Sequence, residues 1–258
     1  MPVSISVVTP SLNQGRYIEQ TIRSVLAQDY PHYEHLVIDG GSTDQTRSIL
    51  ERYPHLRWVS EPDAGQTAAI NKGLRRSTGQ VVAYLCADDL YREGALGAVA
   101  EVFAQDPTTA AVVGSADVID EASRPAGHHR ARLERFEDLL RYWQWGKTFC
   151  LPQAAVFLRR EVLDEVGWFD ESYRFALDYE MWLRVAARYP LTVVPRTLAA
   201  FRVSGETLTN RHRRKLDLEG YRASRRFWRL ARGWERWTIP VEATAQAGVQ
   251  GLLHWMGR

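Results

Sequence analysis

Along the first 120 residues, short β-branched apolar runs alternate with segments whose apolar positions recur every three or four residues. That alternation is the signature of βαβ units around a mainly parallel sheet. VSISVVT (3–9) predicts a buried first strand. After SLNQGR, Ile18, Ile22, Val25 and Leu26 fall on one helical face, and the turn at Pro31 ends that element. HLVID (35–39) predicts a second strand that closes on the Asp39 carboxylate and the turn GGSTD. There Ser42 and Gln45 have the spacing of a capping box, opening a helix through Ile49 and Leu50. A third strand is expected at 57–60, then the loop EPDAGQ and a helix through Ala69, Ile70 and Leu74. Residues 81–85 are a continuous apolar run ending in CADD, followed by a helix at 94–105 and a strand near 110–114.

The second half is less regular. Residues 121–132 show no apolar periodicity and predict a surface connection. A strand is expected at 153–158, a short helix at 160–166, and a longer helix at 178–188 that buries Met181, Val185 and Trp182. Residues 208–237 predict a basic helix or helix pair carrying Arg, Trp and Phe. The early strands all end in polar residues, and open α/β sheets bind ligands at that edge. Asp39, Asp63, Asp88 and Asp89 are therefore expected to gather in one crevice.

Composition fits this picture. A chain of 258 residues, 45% hydrophobic and 25% charged, suits one globular unit, or one unit with an appendage. Aromatics at 11% argue against disorder. No apolar stretch approaches the ~18 residues of a spanning helix. The start, MPVSISVVTP, lacks the basic n-region of a cleaved signal, so secretion is not expected. Cys86 and Cys150 are too few for a disulfide framework or a thiolate zinc cluster, which suits a reducing cytosol. The net charge of +2 hides a split: residues 1–120 carry 9 basic and 15 acidic groups, and 202–236 carry 11 basic and 4 acidic.

Several clusters carry candidate chemistry. Adjacent Asp88 and Asp89 after a buried strand repel unless a cation sits beside them, and Mg²⁺ or Mn²⁺ needs only one or two carboxylates. A turn with a helix cap explains the same pair. AGQTAAINKG (64–73) offers a Gly turn, helix-start donors and Lys72 for a diphosphate, or an ordinary loop into an amphipathic helix. Asp39 suits a nucleobase N–H or ribose hydroxyl, or only caps its turn. Asp178 and Trp182 share a helical face at i and i+4. A partly buried carboxylate there suits a general base, or a helix-start Asp favoured by the dipole. Trp182 suits the core better than a substrate platform, His128 and His129 suit solvent, and Cys86 suits a buried thiol. P-loop, dinucleotide, serine-hydrolase and zincin motifs are absent from the sequence.

Read in order, VVTPSLNQGRYIEQTIRSVLAQDYP, EHLVIDGGSTDQT, SEPDAGQTAAINKGL, GQVVAYLCADDLY and LPQAAVFLRREVLDEVGWFDESYRFALDYEMWLRVA resemble the family 2 glycosyltransferases over about residues 3–203. The resemblance implies the GT-A nucleotide-diphospho-sugar transferase fold, an α/β Rossmann-like central sheet flanked by helices. It assigns 1–203 to the transferase domain, with 1–120 as the nucleotide-sugar half and 121–203 as the acceptor and base half. Residues 204–258 are then a basic, Trp-rich helical extension. Thr9, Pro10 and Asn13 match the first nucleotide loop, Asp39 the carboxylate that reads the base, usually uracil, and Asp63 another nucleoside contact. Gln66, Asn71 and Lys72 fall in the segment approaching the donor. Asp88 and Asp89 match the end of the D-x-D region, Asp89 being the metal ligand. Asp178 matches the general base of inverting transfer, and Gln153 and Trp182 the acceptor side.

Three positions depart from the pattern: Cys86 replaces the first Asp of D-x-D, Leu177 the Glu of E-D, and Ser204 a His that helps hold the metal. They motivate an alternative, a sugar-nucleotide or partner-binding protein without turnover, against which Asp89 and Asp178 argue. A sugar-phosphate nucleotidyltransferase is disfavoured because its Gly-rich opening loop is missing. The implied acceptor is a saccharide or lipid-linked saccharide, in cell-surface polysaccharide or glycolipid assembly. The basic segment has two readings, a solvated face whose Arg stems cover a Trp-rich core, or a patch for anionic lipid formed by Arg213, Arg214, Arg225, Arg226, Arg229 and Arg232 with Trp228, Trp234 and Trp237. The second places the protein in the cytoplasm, peripheral on the inner face of the membrane. No nucleic-acid module is recognisable.

Overall fold

A computed structural model of the protein describes residues 2–204 and 212–256. Its centre is a nine-stranded sheet in the order β3-β2-β1-β4-β8-β6-β9-β5, with β7 paired to β6 at one edge. The strands are β1 (Ile5–Ser11), β2 (Tyr33–Asp39), β3 (Arg57–Ser60), β4 (Val81–Tyr84), β5 (Leu90–Tyr91), β6 (Ala111–Ile119), β7 (Pro125–His129), β8 (Val156–Arg159) and β9 (Leu191–Arg202). The pairings β1–β2, β1–β4, β2–β3 and β6–β9 are parallel and hold most of the paired residues; the rest are antiparallel. The expected parallel α/β architecture is thus present, with helices on both faces.

Parallel strands covered on both faces must be apolar throughout, and Val7, Val8, Val37, Ile38, Val81 and Val82 are buried accordingly. Helix α1 (Ile18–Leu26) buries Ile18, Ile22 and Val25, but Leu26 is exposed and Thr21 takes its inward place. Thr21 earns that position chemically: its hydroxyl donates to the Ala87 carbonyl and lies 2.8 Å from that of Asp89, tying α1 to the loop after β4. Helix α3 (Gln66–Arg76) approaches β1 at Gly73, where an added Cβ would stand 2.3 Å from Val8. Helices α2 (Thr46–Leu50), α4 (Ala95–Gln105), α5 (Phe136–Leu139), α6 (Arg160–Val166) and α7 (Leu177–Ala186) complete the layers.

The structure corrects the sequence reading in further places. Residues 125–129 are an edge strand and not a loose connection, with His128 bonded to Asp117 and His129 stacked on Phe201. Ser42 does not cap α2; it bonds Asp39, and Asp44 accepts the Thr46 N–H instead. Residues 153–155 form a 3-10 turn ahead of β8. The expected basic helix begins outside the described residues and continues as α8 (Arg213–Arg225), a 3-10 turn (Trp228–Leu230) and a long α9 (Glu235–Met256). These elements are packed on the body, with Ala223, Ala231 and Ile239 in the same apolar cluster as Met181 and Trp182. No helix among the described residues is long and apolar enough to cross a membrane.

Candidate active site

The C-terminal ends of β1, β2 and β3 carry the first cluster of expected site residues. Asp39 closes β2 opposite Ser11 of β1 and Ser60 of β3. It is fully buried, and its carboxylate accepts from the Ser42 N–H (2.9 Å), the Ser42 hydroxyl and the Ser60 hydroxyl (2.6 Å). Buried carboxylates persist only when so satisfied. Asn13, at φ 52°, laces the first loop to the same turn by donating its N–H to Ser42 and accepting from the Thr43 N–H. Asp63 lies beside Gly40 and accepts the Gly65 N–H at 2.8 Å. Pro10 and Thr9 are buried beneath this surface, and Thr9 is bonded to His35, which burial pushes down to about 3 and so keeps neutral. Next to Asp39 in register, the Ser11 hydroxyl is buried with no partner among the described residues.

The turn after β4 carries the second cluster. Ligand atoms of Cys86, Asp88 and Asp89 lie within 4.8 Å of one another. Burial, then the charge of Asp88, pushes Asp89 well above the usual carboxylate range, and burial also raises Asp88. Arg202, at the end of β9, is the buried counterpart. Its N–H donates to Asp89 (2.9 Å), its guanidinium to the Asp88 carbonyl, and its ring-facing side rests on Tyr17. Two crowded oxygen donors with one countercharge fit a hard divalent cation that takes its remaining ligands from a diphosphate. Burial and the surrounding carboxylates hold the Cys86 thiol well above its ordinary value, so it stays neutral and is a poor hard-cation ligand. Gln66 donates to Cys86 at 3.3 Å, and Gln153 holds the Tyr84 carbonyl at 2.7 Å, so both amides flank this turn.

Asp178 opens α7 on the other side. Its Oδ1 accepts the Tyr179 N–H at 2.8 Å, and burial raises it from its ordinary value. The charges of Asp178 and Asp89 both raise the Tyr84 phenol and the Cys86 thiol. Other expected residues have different roles. Trp182 is not on an acceptor surface: it is 4% exposed and packs edge-on against Phe169, because it shares the apolar stripe of α7 with Met181 and Val185. Asn71 is buried, with its amide spent on Phe169 and Glu171, and Lys72 is paired with Glu61. Arg202 and Ser60 were missed from the sequence, their partners being 113 and 21 positions away with no periodicity to mark them, and Ser42 was read only as a helix cap.

This mixed sheet with flanking helices has the GT-A transferase fold, which solved structures share. TarS 1-349 of S. aureus in complex with UDP-GlcNAc superposes with a TM-score of 0.71 at 18% identity, over 90% of this chain and 68% of that one. The mannosyltransferase PcManGT of Pyrobaculum calidifontis, in complex with GDP-Man and Mn²⁺, does so with a TM-score of 0.65 at 22% identity, over 100% and 80%. Residues 6–167 match the profile of Glycosyl transferase family 2, and the chain belongs to that family. An uncharacterized glycosyltransferase of Nostoc sp. is 33% identical over 172 residues, 64% of this chain and 53% of its own length. TuaG of Bacillus subtilis, whose assigned name places it in teichuronic acid biosynthesis, is 42% identical over 98 residues, 36% of this chain and 38% of its own. The chain spans about half the length of the curated relatives it matches.

Proposed function

We propose that the protein is an inverting glycosyltransferase that moves a sugar from a nucleoside diphosphate sugar, in the first instance a UDP-sugar, to an acceptor hydroxyl. The observation that supports this reading is that Asp88 and Asp89 crowd Cys86, that the charges of both and of Asp178 all act on that same thiol, and that the buried Asp39 closes another strand of the same sheet. Asp39, Asp63, Asn13 and Pro10 shape the nucleoside end, with Thr9 and His35 supporting it from below. Asp89, backed by Asp88, would hold Mg²⁺ or Mn²⁺, which when bound supplies Lewis-acid stabilisation of the diphosphate. Arg202 fixes the Asp89 carboxylate through its backbone N–H. Gln66 and Gln153 border the sugar, while Asn71 and Lys72 brace the helix beneath it. Asp178 takes the proton of the acceptor hydroxyl as that oxygen attacks the anomeric carbon and the diphosphate leaves. Offered a panel of UDP-sugars and GDP-mannose with Mn²⁺, the protein is expected to release nucleoside diphosphate from one of them; binding of UDP with no turnover of any donor would favour the non-catalytic reading.

The acceptor is then a saccharide or lipid-linked saccharide of cell-surface polymer or glycolipid assembly, a reading supported by the similarity to TuaG, which is named for teichuronic acid biosynthesis. The start of α9 supports peripheral attachment to an anionic membrane. Its inner face buries Glu235, Ile239 and Ala243, whereas Trp234 (68% exposed), Trp237 (75%) and Val241 face outward beside exposed Arg229, Arg232 and Arg236. Aromatic rings amid Arg suit a headgroup layer. The patch is narrower than the sequence implied: Arg202 is buried, Arg226 pairs with Glu180, and Trp228 is tied to Ser224. Flotation with phosphatidylglycerol vesicles and not with phosphatidylcholine vesicles is expected. Losing about 1.5 kcal/mol of ring burial in the Trp234→Ala, Trp237→Ala double variant should weaken it roughly tenfold or more. Flotation indifferent to anionic lipid would remove the idea.

A further inference from the structure

The basic extension is bound to the body by one face of α8, and that face is aimed at the loop carrying the proposed base. Lys215, Glu219, Arg222 and Arg226 recur at helical spacing and all reach residues 170–180. The Lys215 ammonium stands 5.8 Å from the Phe175 ring centroid. Arg222 lies over the Tyr173 ring at 4.9 Å and donates to the Ser172 hydroxyl at 3.2 Å. Arg226 pairs with Glu180 (3.2 Å) and Asp170 (3.6 Å). The helix can lie this close because residue 220 is Gly; a Cβ there would stand 2.8 Å from the Tyr142 ring. From the other side, the Ser224 hydroxyl donates to the Leu140 carbonyl at 2.6 Å.

Glu219 makes the most specific of these contacts. Its Oε2 accepts three consecutive backbone N–H groups, from Arg174 (3.0 Å), Phe175 (2.7 Å) and Ala176 (2.9 Å), and its Oε1 lies 3.2 Å from the first. Three successive N–H groups converging on one anion form a backbone nest. Ala176 directly precedes α7, cannot cap it with its own side chain, and stands two residues before Asp178. A helix start leaves N–H groups without intrahelical partners, and here the acceptor for the approach to α7 comes from a different helix 43 to 45 positions further along the chain. Charge-assisted bonds of this kind are short and directional. They fix the path of 174–176, and the first turn of α7 inherits its direction from that path.

We propose that α8 is a strap that sets the position of the Asp178 carboxylate, with Glu219 as a positioning residue for sugar transfer. This rests on the reading of Asp178 as the general base. Glu219 acts through the backbone N–H groups it accepts, and a displacement of about 1 Å at a reacting group can cost on the order of 10²-fold in rate.

The test compares Glu219→Ala, Glu219→Gln and, as a control on the outer face of the same helix, Leu218→Ala. Hydrogen exchange measured by mass spectrometry on the full chain reads the clamp without any ligand. Turnover of UDP-GlcNAc or GDP-mannose, whichever the wild type uses, reads its effect on kcat and KM separately. In Glu219→Ala, exchange of the 174–176 amides should quicken at least tenfold and kcat should fall about 10²-fold with donor KM unchanged. Glu219→Gln, which keeps an acceptor oxygen on the same stem, should recover part of both, and Leu218→Ala should change neither. Unchanged exchange at 174–176 in Glu219→Ala would overturn the proposal, as would a loss of turnover that Leu218→Ala shares or one expressed only in KM. Full activity in Asp178→Asn would instead defeat the base assignment and leave the exchange result standing, so the two failures are separable.

Discussion

Replacing Asp178 by Asn is expected to cut sugar transfer about 10²- to 10⁴-fold, the usual contribution of a general base, while leaving the affinity for UDP with Mn²⁺ unchanged. The substitution preserves size and keeps an oxygen to accept the Tyr179 N–H. It removes only the capacity to take a proton. The pH profile of the wild type carries the same information. Burial raises Asp178 from its ordinary value, and a general base at this position would work only when ionised. Turnover should therefore fall as pH drops through that raised value, at a higher pH than a solvated Asp would produce. Folding favours the neutral form of this group, so Asp178→Asn should be no less stable than wild type at neutral pH. Near-normal transfer in the variant would refute the assignment.

The second large effect is a reversal of sign at Asp89. Without metal, burial beside Asp88 penalises the charged form of the Asp89 carboxylate, a cost that opposes folding at neutral pH. Asp89→Asn keeps an acceptor for the Arg202 N–H and removes the charge, so the metal-free variant should melt higher than metal-free wild type. Adding Mn²⁺ should invert the order. At a concentration about 100-fold above its Kd, a bound ion stabilises the wild type by about 2.7 kcal/mol, which for a domain of this size is roughly 5–10 °C in Tm. The variant should show little of that shift. An equal Mn²⁺ response in both proteins, measured by calorimetric melting, would place the cation elsewhere.

Much of this arrangement was legible in the sequence because it is local. The alternation over residues 3–85 reports strands buried on both faces and helices buried on one, and the strand ends put Asp39, Asp88 and Asp89 at a common edge before any coordinates are consulted. What escaped depends on distant partners or on broken patterns. Strand β7 (PAGHH) is an exposed edge with no buried face to impose alternation. Strand β9 contains Pro195, which falls where the register with β6 shifts between Val113 and Ser115; a bulge admits a proline that reads as a strand breaker. Helix α9 likewise contains Pro240, which argues against a helix of that length on sequence alone. The family resemblance correctly indicated the fold, but it did not show that Asn71, Lys72 and Trp182 are committed to internal contacts. Arg202 and Glu219 read as members of a basic tail; only the folded chain brings one to Asp89 and the other to the start of α7.

The most direct test of the central claim is the anomeric configuration of the first-formed product, followed by proton NMR during turnover of the donor that the panel identifies. A single in-line displacement by an acceptor hydroxyl deprotonated at Asp178 predicts a product whose anomeric centre is opposite to that of the donor. A product that retains the donor configuration would contradict the mechanism.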